Sequence, residues 1–157
     1  MKRICSLFLA LLSLFAVGCS TKYRTDVPVY ELANLALEGI DDSIRFVRAE
    51  QNYLDGYLPT DSLSSSREIY FAADGNRLDE FGIFYSDRPR ELKDELEDYL
   101  EDTLEENRAF YDSYIPEETP KLRDAEVKVF GSCVAYAILS PEHKKTFFGR
   151  IEEDLRS

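Results

Sequence analysis

Twice along this chain an apolar, strand-like segment runs through a Ser and a Pro into an amphipathic helical pattern. The first such passage is FGIFYSDRPRELKDELE from Phe81, and the second is VAYAILSPEHKKTFFGRIEE from Val134. Each follows a partner strand and a turn. Residues 68–73 (EIYFAA) lead into Asp74-Gly75-Asn76, and residues 126–130 lead into Gly131-Ser132. A hairpin needs its apolar face covered, and a helix with one apolar stripe can cover it. The fold is therefore expected to be α+β. It should comprise an N-terminal helix followed by ββα-ββα, with a four-stranded antiparallel sheet and packed helices.

The N-terminal helix is expected over 28–40. There Val29, Leu32, Ala33, Ala36, Leu37 and Ile40 recur at the spacing of one helical face, with Asp26 as its cap. Residues 41–58 carry no clear period, and 59–66 form a Ser-rich loop. The longest helix is expected from Pro89 to about Tyr111. Its buried stripe should hold Leu92, Leu96, Tyr99, Leu100, Thr103, Leu104, Phe110 and Tyr111. Pro116 and Pro120 end it, and Ser140-Pro141 caps and opens the last helix.

The start of the chain carries a different signal. Lys2 and Arg3 precede the apolar run ICSLFLALLSLFAV, residues 4–17, which has signal-peptide length. It is shorter than the roughly 20 residues that a spanning helix needs. Ala16-Val17-Gly18-Cys19 resembles a bacterial lipobox, in which the Cys thiol takes a diacylglyceryl group and cleavage falls just before it. This gives a leader over 1–18, a lipidated tether over 19–27 with Cys19 as the lipid site, and a single domain over 28–157. The expected location is the extracytoplasmic face of the cell membrane, held by lipid.

Charge narrows the partners. The formal net charge of −12 becomes −14 once the leader cations Lys2 and Arg3 are gone. So acidic a body is unsuited to nucleic acid, which is bound by clustered Lys and Arg. The expected partners are the bilayer, through the lipid, and a basic envelope protein. With Cys5 in the leader and Cys19 lipidated, Cys133 has no disulfide partner. It is expected as a small core residue.

Several short segments, taken in order, resemble the domain of unknown function 4358 family, small lipoproteins of clostridia and their relatives. They are Val27-Pro28, the strand opening Asp79-Glu80-Phe81-Gly82-Ile83-Phe84, then Tyr114-Ile115-Pro116, Ala125-Glu126-Val127 and Gly131-Ser132-Cys133-Val134. Cys133 stands where the family tends to have an aromatic residue. The resemblance implies location and fold. It brings no activity, cofactor or catalytic residue.

No catalytic set stands out. His143 is the single histidine and is expected at the surface of the last helix's first turn. Ser62 and residues 64–66 lack a nucleophile-elbow context. Residues 73–81 have the outline of a calcium loop, but Tyr70 and Ala72 fall where carboxylates should be. Asp79-Glu80 is expected as an acidic pair at the sheet rim. The long helix carries a dense acidic run in which Glu97, Glu101 and Glu105 are candidates for a docking face. The reading is a non-enzymatic, membrane-anchored binding or scaffolding domain without cofactor or metal. The alternatives are an envelope enzyme using carboxylates and a small-molecule or metal-ion carrier.

Overall fold

The computed structural model describes residues 22–40, 42–50 and 62–156. The leader 1–18, the lipid site Cys19, residues 51–58 of the segment without a clear period and residues 59–61 of the expected Ser-rich loop lie outside the described residues. The elements are α1 (Val29–Leu37), β1 (Phe46–Arg48), β2 (Ser66–Ala72), β3 (Glu80–Tyr85), α2 (Pro89–Tyr114), α3 (Thr119–Arg123), β4 (Glu126–Phe130), β5 (Cys133–Ile138) and α4 (Pro141–Arg156). The class is α+β, with a five-stranded antiparallel sheet in the order β1-β2-β3-β5-β4.

Sequence led to four strands. The fifth, β1, is three residues of the segment without a clear period, and it pairs along the edge of β2 from Phe46↔Ala72 to Arg48↔Tyr70. So short an edge strand has no room for an alternation to repeat, which is why it is silent in sequence. The long helix also runs past Tyr111 to Tyr114, and the Pro116–Pro120 stretch contains a short helix rather than only a break.

The two faces of the sheet are both covered. Phe81, Ile83, Cys133, Ala135 and Ala137 point to one side, where α1 and α4 supply Leu32, Ala36, Phe147 and Ile151. Ile69, Phe84, Val134, Tyr136 and Ile138 point to the other, against Leu92, Leu96 and Leu100 of α2. This double cover explains why β5 (CVAYAI) is buried at every position and apolar without alternation.

Local signals act largely as expected at the second hairpin. Phe130 pairs with Cys133, so the turn is two residues long, and Gly131 sits at φ 65. A Gly with positive φ at the first central position is what a tight hairpin of this hand requires. Ser140 caps α4, its Oγ accepting from the His143 amide at 3.3 Å.

Three expectations need correcting. Asp26 does not cap α1. Pro28 occupies that position without a side-chain bond, and Asp26 pairs with Arg24 at 3.1 Å. Phe110 is 54% exposed rather than part of the buried stripe. At about 1.5 Å per residue a 26-residue helix outruns strands of five to seven residues, so its last turns overhang the sheet. His143 is half-buried, and its Nδ1 is enclosed with no partner among the described residues. The short connection from β5 holds the first turn of α4 close to the sheet.

The segment preceding α1 is seated on the domain. The Arg24 amide donates to the Leu155 carbonyl at 2.8 Å, and the Tyr23 ring meets Phe130 edge-on at 5.8 Å. The chain thus joins the domain beside the β4–β5 turn, at the Tyr85 end of β3.

Candidate functional site

At the other end of β3 the overhang of α2, the β2–β3 turn and the ends of β2, β3 and β5 border a cleft of about 930 Å³. That lies near the upper end of the roughly 300–1,000 Å³ typical of ligand sites. Seven of its nineteen lining residues are Asp or Glu, and one is Arg.

The floor is built by β3. Glu80 faces α2, on the same side of the sheet as Gly82 and Phe84. The Tyr136 hydroxyl donates to Glu80 Oε1 at 2.5 Å, and the Tyr99 hydroxyl also hydrogen-bonds this carboxylate. Glu80 is half-buried as a residue, but its carboxyl head is enclosed, and this burial pushes its pKa up while the two phenols hold it down less strongly. Gly82 makes the arrangement possible. Tyr136 is its cross-strand partner, and a Cβ on Gly82 would lie 2.4 Å from the Tyr136 ring. Burial also pushes the Tyr111 phenol up, with a further push from the nearby charge of Glu80.

Asp79 is fully buried beside it. Its Oδ2 accepts from Arg77 at 2.8 Å and from Lys121 at 2.7 Å. Lys121 comes from α3, forty-two positions away, and also pairs with Glu118 at 2.7 Å. Glu118 in turn accepts from the Leu78 amide at 2.9 Å, which fixes the strand entry. Asp79 Oδ1 is buried and has no partner among the described residues, an unusual state for a carboxylate oxygen.

The outer wall is one stripe of α2, formed by Glu95, Asp98, Tyr99, Asp102, Thr103, Glu106 and Asn107. None of its four carboxylates has an ion-pair partner among the described residues. The other flank of the helix differs. Glu97 pairs with Lys93, and Glu97 and Glu101 border a shallower groove of about 370 Å³ against Leu122 and Val127.

Sequence reasoning named Asp79 and Glu80, and both line the cleft. It named Glu97, Glu101 and Glu105 on the helix, and none of these lines it. The acids that do are the neighbours Glu95, Asp98, Asp102 and Glu106. Lys121, Glu118 and Tyr136 gave no sequence signal, because only the tertiary fold brings α3 and β5 to this end of β3. Tyr99 and Tyr111, expected in the buried stripe of the helix, are each half-buried and line the cleft.

Cys133 is fully buried, and desolvation pushes its thiol up to about 12. A thiol so raised is inert at neutral pH. Among the described residues no three His, Cys, Asp or Glu side chains converge where a metal ion could sit, and no helix is long and apolar enough to cross a membrane.

Compared with known proteins, the chain matches no family model, no curated sequence and no solved structure. The likeness to the domain of unknown function 4358 lipoproteins therefore rests on the order and spacing of the quoted segments alone.

Proposed function

We propose that this chain is a lipid-anchored, extracytoplasmic binding domain, akin to the small lipoproteins it resembles, whose ligand occupies the cleft between α2 and the β2–β3 turn. The observation that carries the reading is the unpartnered, buried Asp79 Oδ1 among the residues lining a cleft of ligand size. The placement of the cleft supports it. The tether joins at the Tyr85 end of β3 and the cleft opens at the Glu80 end, roughly 17 Å away at a strand's rise per residue. An anchor at Cys19 would leave the cleft facing away from the bilayer. Binding is favoured over carboxylate catalysis because Glu80, the acid whose pKa is raised, has its carboxylate engaged by two tyrosine hydroxyls.

The test is photocross-linking in intact cells from a photoreactive residue at Asn107, which borders the cleft, with Arg150 on the exposed face of α4 as the control position. A reproducible adduct from Asn107 alone is expected, and Ala73→Trp, which fills the cleft, should abolish it. Equal adducts from both positions, or none from Asn107, would sink the reading.

A further inference from the structure

We infer that the ligand of this cleft is an elongated organic polycation of the polyamine type, lying along the α2 stripe with one N–H donor directed to Asp79 Oδ1. The inference rests on the binding reading above and adds the chemical class of the ligand.

Three observations point the same way. The first is charge. Asp98, Asp102 and Glu106 follow one another at i, i+4 on a single face and are unneutralised. Such like-charge neighbours destabilise a helix slightly, and a bound cation relieves that cost. Glu97 on the other flank has Lys93 as its partner, whereas none of the four acids of the cleft stripe has one among the described residues. The second is the orphaned acceptor. Asp79 is wholly buried and its Oδ1 needs a donor, which an ammonium group supplies and an anion or ether does not. The third is shape. Among the described residues no three acidic side chains converge on one point, so a single bare ion meets no chelating set there. The carboxylates are instead stepped along the helix by about one turn, roughly 5.4 Å. Amines separated by three or four methylenes match that step. Tyr99, Tyr111 and Phe71 line the same space, and aromatic rings suit both methylenes and cationic heads.

The experiment is titration of the full chain, purified in mild detergent, with spermidine, with triethylene glycol as the neutral counterpart and Mg²⁺ as the compact cation. Calorimetry should show saturable spermidine binding that weakens with salt, and no comparable binding of the other two. Asp98→Asn with Asp102→Asn should weaken spermidine binding by at least about tenfold, as expected for losing charged partners. Glu97→Gln with Glu101→Gln on the opposite flank should change it less than about twofold, since exposed charges away from a contact are screened. Both double variants alter surface carboxylates, and their unchanged thermal melts verify folding. Equal losses from the two flanks would reduce the effect to diffuse charge and overturn the inference. So would Mg²⁺ binding as tightly as spermidine, binding of triethylene glycol in its place, or no spermidine binding at all. If spermidine fails while the Asn107 cross-link persists, the cation assignment falls and the cleft reading stands. If both fail, both fall.

Discussion

At Gly82 the absence of a side chain sets the geometry of the cleft floor. Tyr136 is fully buried, with Phe84 stacked at 6.1 Å and Tyr99 edge-on at 6.3 Å, so its ring has no free direction in which to retreat. Gly82→Ala should therefore behave as an overpacked core and cost about 1–3 kcal/mol in urea unfolding, with the Tyr136 bond to Glu80 weakened. Glu80 gives a prediction with a pH sign. Its folded pKa lies above the ordinary value of 4.5, so the folded state holds its proton more tightly than the unfolded state does. The stability this contributes is fully present below about 4.5 and is lost as pH rises through the folded pKa. Glu80→Gln removes the titration. Thermal melts across pH should show the variant gaining on the wild type as pH rises through that window, with a constant difference below it. A difference that is flat across the series would show that folding does not raise the Glu80 pKa. Glu80 and Asp79 were legible in sequence as acids at a strand entry. Their opposite treatment, one held by phenols and the other by Lys121 and Arg77, was not, because those partners come from distant parts of the chain.

Among the elements α2 bears the most on function, because it faces two environments. Leu92, Leu96 and Leu100 seal one face of the sheet, and the next stripe around the helix walls the cleft. Leu96 is fully buried, so Leu96→Ala should cost about 2–5 kcal/mol. A melt like that of the wild type would mean that this face does not pack on the sheet. Periodicity found the buried stripe of this helix because Leu recurs at i, i+4. It could not choose among the acidic stripes, since nearly every other position is Asp or Glu and any of them fits a solvated face. The choice depends on where α3 and the β2–β3 turn lie, and neither is encoded in α2 itself. The same limit applies to Phe110 and Tyr114. Their rings sit 4.8 Å apart on the overhang, where the apolar pattern continues after the sheet has ended.

For the whole molecule the governing expectation is polarity along β3, with an anchor at one end and a cleft at the other. Labelled fatty acid should enter the wild-type chain and not Cys19→Ser, and the variant should leave the membrane fraction while keeping the same thermal melt. Equal labelling of the two would remove the anchor. The sequence by itself determined the α+β class, the two hairpins, the helices that follow them and the core placement of Cys133. These depend on local rules, namely side-chain period, turn chemistry and capping, which act over a few residues. Only the tertiary structure decided the fifth strand, the double cover of the sheet and the cleft. Each of these depends on contacts between segments far apart in the chain. Lys121 reaching Asp79 and Tyr136 reaching Glu80 are the clearest cases, since a salt bridge or a buried hydrogen bond is formed by proximity in space and leaves no period in the sequence.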